Sequence, residues 1–305
     1  MLGLLFLLAL GGAIYWLGLV SWTIRALMRP PRQTYGSAVS KGRSGDPSEL
    51  EKARPYSNWT LPSQGRNLVV WDIDGEASEG PVVIVTHGWG SGKVNALARV
   101  PTLTALCSRI VLWDQPGHGE SGGVCTLGVR EPADLLAIIE RVGQDRPIVL
   151  AGSSMGAGVS IAAASLCSDV ALVIAEAPYA VPSTPARNVM RQRHAPIKLN
   201  LGPALSWVGL VSTKRWAGPS LSRSSEQPFD RTKLAAKLQC PLLVLHGDQD
   251  QTCPIEDGRA IATACTGGRI VEISGGTHQN LWKDQACRAT MQREYTNAIR
   301  GLAHA

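Results

Sequence analysis

The stretch PIVLAGSSMGAGVSIAAAS, residues 147–165, decides how the rest of the chain is read. Ile148–Ala151 is an uninterrupted apolar run, as expected for a strand buried on both faces of a parallel sheet. Ala157–Ser165 is a small-residue segment of helical length. Between them, Gly152-Ser153-Ser154-Met155-Gly156 fits a tight, strained strand-to-helix turn, whose flanking residues must lack side chains. Such a turn lifts the central hydroxyl above the sheet, beside the positive N-terminus of the helix. The glycine frame centres on Ser154 rather than Ser153, so Ser154 is the candidate nucleophile.

A serine at its ordinary pKa attacks poorly and needs a base held by an acid. In this architecture the acid and then the histidine follow the serine in the chain. Asp248 and Asp250 both follow the apolar run Leu242–Leu245, within HGDQDQTCP (246–254). His278 follows the next strand-like run, Ile270–Ile273, in SGGTHQN (274–280). Of the six histidines, only His278 comes one strand and one glycine loop after the acid. His304 is terminal and His194 falls in a long insertion; His87, His118 and His246 read as residues that orient loop backbone. An oxyanion requires two preorganised N–H donors. The amide of Met155 is one candidate, and the loop HGWGSG (87–92) supplies Trp89 as the other, with Gly88 and Gly90 permitting close approach. That loop lacks the Gly-x-x-x-x-Gly-Lys-Ser/Thr pattern of a phosphate cradle.

Working outward, further strand-like runs lie at Leu68–Ile73, Val82–Thr86, Ile110–Trp113 and Ala171–Ala175. Helix-length segments alternate with them near 93–107, 128–142, 155–167, 255–265 and 279–302. This alternation predicts an α/β fold, a doubly wound, mostly parallel sheet. Roughly sixty residues separate Glu176 from Leu242, too many for a loop. The interval holds Pro182, Pro185, Pro196, Pro203 and Pro219 and an apolar patch from Leu205 to Trp216, so a cap insertion is expected over about 180–239.

Residues 1–24 carry no charge and are long enough to cross a bilayer as a helix, with Tyr15, Trp16 and Trp22 toward one end and Arg25, Arg29 and Arg32 beyond it. No basic residue precedes the run and no small-x-small site follows, which favours a retained transmembrane anchor over a cleaved signal. The arginines then place the main domain, residues 58–305, on the cytoplasmic side. Residues 25–57, with seven Lys/Arg against three Asp/Glu, read as a flexible basic linker; 180–239 carry ten against two. Two basic segments on a chain of net charge +6 read as a well-solvated linker and lid, or as contacts for anionic lipid head groups more than a nucleic-acid face. Seven cysteines without metal-like spacing argue against a zinc site and suit buried, reduced thiols.

Four blocks, HGWG (87–90), WDQPGHGES (113–121), GSSMG (152–156) and HGDQD…P (246–254), closed by GGTH (275–278), give residues 58–302 a resemblance to the α/β-hydrolase superfamily, specifically its monoglyceride-lipase and serine-aminopeptidase-like group. The resemblance favours Asp250 over Asp248 as the acid and makes Asp114 a scaffold residue. It implies hydrolysis of a carboxylic ester, thioester or amide without cofactor or metal. Cys253 departs from the valine often found there. With the anchor, an esterase or lipase acting on lipid-like acyl substrates is expected. A peptidase or amidase is the alternative the same residues allow; a non-enzymatic membrane scaffold would predict a broken set.

Overall fold

A computed structural model describes residues 1–143, 145–192, 199–214 and 230–302. The chain opens with helices α1 (Leu2–Met28) and α2 (Tyr35–Val39), then strands β1 (Tyr56–Ser63), β2 (Arg66–Asp74) and β3 (Val82–Thr86). Two short helices, α3 (Lys93–Ala96) and α4 (Val100–Leu103), lead to β4 (Arg109–Trp113), α5 (Glu131–Val142), β5 (Ile148–Ser153), α6 (Met155–Ala164) and β6 (Val170–Glu176). Helices α7 (Ser183–Gln192), α8 (Leu201–Lys214) and α9 (Arg231–Ala235) fill the interval before β7 (Leu242–Gly247). Helix α10 (Ile255–Ala264), β8 (Gly268–Ile273) and α11 (Gln285–Gly301) complete the chain.

The eight strands form one sheet in the order β1-β2-β4-β3-β5-β6-β7-β8. Strand β2 runs antiparallel to both β1 and β4, and every other pairing is parallel. The chain winds to one side from β3 to β4 and to the other from β5 onward. The crevice at the C-terminal ends of β3 and β5 is thus the switch point where sites assemble in open α/β sheets.

Alternation along each central strand builds two cores. Val82, Ile84, Ile148, Leu150, Leu242 and Val244 face α5, α6, α9 and α10. Val83, Val85, Val149, Ala151, Leu243 and Leu245 face α2, α3, α4 and α11. Burial on both faces is why these strands read as unbroken apolar runs. Two elements depart from the sequence reading. Strand β1 was not expected, because its residues are mostly exposed and it carries Pro62, tolerated at a sheet edge. The stretch 93–107 is not one helix: Pro101 lacks the amide that would bond back, so two helices flank a 3₁₀ turn.

The expected linker is also corrected. Helix α1 continues to Met28, and Ala38 of α2 is buried beside Val94, Ala96 and Leu97. Arg32 donates through Nη1 to the carbonyls of Gly119 and Ser121 (2.8 and 2.9 Å). The apolar residues Leu27 and Ala38 and the capping pair Thr34–Ser37 suffice to fold part of a segment whose composition reads as loop. Helix α1 is long and apolar enough to cross a membrane. Of the cap patch, Leu205, Trp207, Val208, Leu210 and Val211 lie on α8. Arg215 and Trp216, along with Pro196, Pro219, His194 and His304, lie outside the described residues.

Candidate active site

Ser154 sits between β5 and α6 at φ 52°, ψ −113°. A non-glycine residue with positive φ is strained, and such strain clusters at functional sites. The neighbouring glycines make the turn feasible. A Cβ on Gly152 would strike the Gly156 carbonyl, and one on Gly156 would strike the Thr86 and His87 carbonyls. The Ser154 amide donates to the Glu176 carbonyl (2.8 Å), which ties the turn to the end of β6.

His278, in the loop after β8, approaches Ser154 with Nε2 3.1 Å from Oγ. Its Nδ1 is 2.7 Å from Oδ2 of Asp250, in the loop after β7. The other Asp250 oxygen accepts the amides of Thr252 and Cys253, both at 2.8 Å. Burial of Asp250 opposes ionisation, but the nearby His246 and His278 rings outweigh it and hold the carboxyl below the usual range. Asp250 is therefore an anion aimed at the face of His278 remote from Ser154. Asp248 is exposed and accepts the Gly275 amide (2.8 Å), a turn contact. Cys253 is fully buried with Sγ 3.9 Å from Ser154 Oγ, and burial pushes its thiol pKa up. Asp250, Cys253 and His278 could hold a metal ion, their ligand atoms lying within 4.8 Å of one another. That would cost His278 its bonds to Asp250 and Ser154.

The loop after β3 stands beside this set, since Thr86 is in register with Gly152. A Cβ on Gly88 would come 3.3 Å from the Ser154 Cβ. Trp89 and Met155 thus lie on chain segments flanking the Ser154 hydroxyl. Two buried histidines shape this loop. His87 Nε2 accepts the Gln115 amide (3.0 Å), and His118 Nε2 accepts the Gly90 amide (3.0 Å). Their Nδ1 atoms face the carbonyls of Gly88 (2.8 Å) and Pro116 (3.0 Å), so each ring is neutral and protonated at Nδ1. Asp114 accepts the amides of Lys93 (2.7 Å) and Glu120 (2.9 Å), a scaffold position.

A cavity of about 1110 Å³ opens at Ser154 and His278. It is lined in part by residues that sequence reasoning placed elsewhere. Leu27, from the end of α1, is buried against Met155, Tyr179, Ala186 and Val208, and its carbonyl accepts Trp89 Nε1 (2.9 Å). Lys41 and Arg43, from the expected linker, line it too. Nothing in the sequence marks them, because a basic loop residue looks the same wherever it folds. Glu176 was missed as well. Its buried carboxylate gathers Arg99 Nε (2.9 Å), Trp282 Nε1 (2.9 Å) and Tyr295 Oη (2.6 Å) directly behind the Ser154 turn.

A mostly parallel sheet with a serine, a carboxylate and a histidine, in that chain order, at the ends of its strands defines the hydrolase class of α/β enzymes. The chain belongs to the alpha/beta hydrolase family, whose model matches residues 82–292. It is similar to the lysophosphatidylserine lipase of Rattus norvegicus, 25% identical over 67% of this chain and 50% of the relative. It thus spans about half the length of that protein. A pimeloyl-[acyl-carrier protein] methyl ester esterase of Chromobacterium violaceum is 26% identical over 66% of this chain and 88% of the relative. Among solved structures, an esterase of Pyrococcus furiosus matches with a TM-score of 0.67 at 17% identity, covering 90% of this chain and 97% of that one. Est1E of Butyrivibrio proteoclasticus with bound ferulic acid matches at 0.62 and 18% identity, covering 81% of this chain and 100% of that one. At these identities the solved structures speak for the fold alone.

Proposed function

We propose that this chain is a membrane-anchored serine hydrolase that cleaves carboxylic esters of lipid-like acyl groups. The observation that carries the reading is the unbroken hydrogen-bond line Ser154 Oγ–His278 Nε2–His278 Nδ1–Asp250 Oδ2, at 3.1 and 2.7 Å. In this reading the Ser154 oxygen bonds to the ester carbonyl carbon while His278 takes its proton. The Met155 and Trp89 amides stabilise the oxyanion. The C–O bond to the alcohol then breaks, and His278 gives its proton to the departing oxygen. Water, deprotonated by His278, attacks the acyl-enzyme; the acyl bond to Ser154 breaks as His278 returns the proton to Oγ, which releases the acid and free Ser154. Asp250 stays ionised and holds the ring. The names of the two curated relatives, a lipase and an ester esterase, support ester over amide cleavage.

Helix length supports a membrane setting. Trp16 Nε1 donates to the Leu199 carbonyl (2.8 Å), and Thr23 Oγ1 accepts from Asn200 (2.7 Å) in a buried contact, so α1 meets the cap from Trp16 onward. Leu2–Tyr15 alone spans only about 21 Å at ~1.5 Å per residue, short of a hydrocarbon core of roughly 30 Å. A spanning α1 would therefore draw the start of α8 into the bilayer, where the exposed Leu199, Trp207 and Leu210 would be covered. The arginines that follow α1's apolar run favour a cytoplasmic catalytic domain.

The test is labelling of detergent-solubilised full-length protein with a fluorophosphonate probe, alongside a panel of acyl esters. Wild type should label and turn over esters. Ser154→Ala should lose the label and about 10⁴-fold or more in rate. Labelling that persists in Ser154→Ala, or wild type inert on every ester, would overturn the proposal.

A further inference from the structure

The cavity at Ser154 has two unlike ends. At one, Leu27, Leu127, Met155, Tyr179 and Ala186 line it, and all five belong to a single apolar cluster shared with the cap. At the other end α2 packs on α3, and the Arg99 guanidinium lies 5.1 Å from the Trp282 ring. Here the lining includes Lys41 and Arg43, which follow α2, and Lys283 and Arg288, at the start of α11. The charges on the described lining are lopsided: five Lys or Arg face a single carboxylate, Glu176. Glu176 is already engaged by Arg99. Among the described residues no carboxylate pairs with Lys41, Arg43 or Lys283. Lys41 Nζ donates to the neutral amide oxygen of Gln33 (3.1 Å). Arg288 donates to the carbonyls of Trp282 (3.0 Å) and Lys283 (3.2 Å), and the nearby Asp284 accepts the Cys287 amide as the cap of α11.

Four cations on the lining, offset among the described residues only by Asp284 beside Arg288, leave this part of the cavity with an excess of positive charge. An ester held with its carbonyl at Ser154 and its acyl chain among the apolar residues would extend its alcohol portion toward those cations. Resting on the ester-hydrolase reading, we infer that Lys41, Arg43, Lys283 and Arg288 form a head-group subsite for an anionic, phosphate-bearing alcohol. The substrate is then a single-chain acyl ester with a phosphate in its head group. The residues that receive the phosphate come partly from the segment joining α1 to the sheet, so anchor and substrate selection share one stretch of chain.

The test compares kcat/KM for monooleoylglycerol phosphate with that for monooleoylglycerol, using full-length protein in neutral detergent micelles. The phosphate ester should be preferred about tenfold or more at low salt, given the strength of hydrogen bonds to charged groups. The preference should shrink as salt rises. The pair Lys41→Glu with Arg43→Glu, and separately Lys283→Glu, should each lower that ratio at least several-fold. These residues are exposed, so the fold should persist, and equal circular dichroism melting would check it. A wild-type ratio near one, or a ratio unmoved in both variants, overturns the subsite. So does a neutral substrate that gains as much when the micelles are doped with an anionic detergent, which would assign the cations to the membrane surface. Failure of the hydrolase reading looks different: no turnover of either ester and no fluorophosphonate label on Ser154. Label without turnover of either ester counts against the subsite alone.

Discussion

The cavity at Ser154 has an inner wall and an outer wall, built on different physical terms. The inner wall consists of loops at the ends of β3, β5, β7 and β8. It is fixed by the register of the sheet, whose central strands are buried, by the Ser154–Glu176 backbone bond and by glycines where no side chain fits. The outer wall is Leu27, Pro31, Gln33, Lys41, Arg43 and cap helix α7, reached through short helices and a few isolated contacts such as Trp89 Nε1 to the Leu27 carbonyl. A reaction needs its groups held to fractions of an ångström, which a strand end supplies. A choice of substrate needs a surface that can vary without disturbing that geometry, which a strap and a cap supply. The molecule thus separates what is done from what it is done to.

The sharpest way to break this separation is within the inner wall. Asp250→Asn keeps an oxygen for the Thr252 and Cys253 amides but removes the second anionic oxygen that faces His278 Nδ1. Ester kcat/KM should fall by about 10⁴-fold, as when the orienting acid of such a set is neutralised. Asp248→Asn alters an exposed turn and should change the rate by no more than a few-fold. If Asp248→Asn proved the more damaging of the two, the acid would be reassigned.

Acid probes the same wall through its supports. Burial lowers the pKa of both His87 and His118, the latter further because His87 lies beside it. Asp114, 3.9 Å from His87 Nε2, pulls the other way but does not prevail. In the unfolded chain both rings titrate near 6.5, so below that pH the unfolded state binds protons that the folded state refuses. Stability is complete above this range and is lost as pH falls through it, by at most about 1.4 kcal/mol per pH unit for each ring. A proton on Nε2 would also cost the Gln115 and Gly90 amides their acceptors, loosening the loop that carries Trp89. Thermal melts between pH 7.5 and 5 should show the decline, and His118→Gln should flatten it. A wild-type profile already flat across that range would contradict it.

The two walls also differ in how legible they are. Ser154, His278 and the pair Asp248 and Asp250 could be picked from the sequence because each follows a strand-like run. That run is unmistakable where, as in β5 and β7, the strand is buried on both faces; the family resemblance then separates Asp250 from Asp248. Strand β1 escaped because an exposed edge strand needs no such run, and YSNWTLPS reads as polar loop with a proline. Leu27 escaped because it lies among Arg25, Arg29 and Arg32, in a stretch whose composition reads as basic linker. Only its position against Met155 and Val208 distinguishes it. Lys41 and Arg43 escaped because charge in a loop has no periodicity to betray which way it faces. Local periodicity therefore exposes what the sheet builds, and stays silent on what tertiary contact alone assembles.

Leu27 gives the gentlest test and the one most specific to the outer wall. Its side chain is 5% exposed and lines the apolar end of the cavity, where a bound acyl chain would lie. Leu27→Ala removes the equivalent of a few methylenes, each worth about 0.8 kcal/mol of burial. The space becomes available to substrate, so the optimum in a p-nitrophenyl ester series from four to sixteen carbons should move toward longer chains. Leu27→Trp should move it toward shorter ones. The change in kcat/KM between neighbouring members should be about tenfold or less, the scale on which a hydrophobic pocket distinguishes one methylene. An inner-wall substitution such as Asp250→Asn should lower every member of the series by a similar factor and leave the optimum in place. If both Leu27 variants also scaled the whole series uniformly, the end of α1 would be acting only as a brace for Trp89, and the division between the two walls would have to be redrawn inside the cavity.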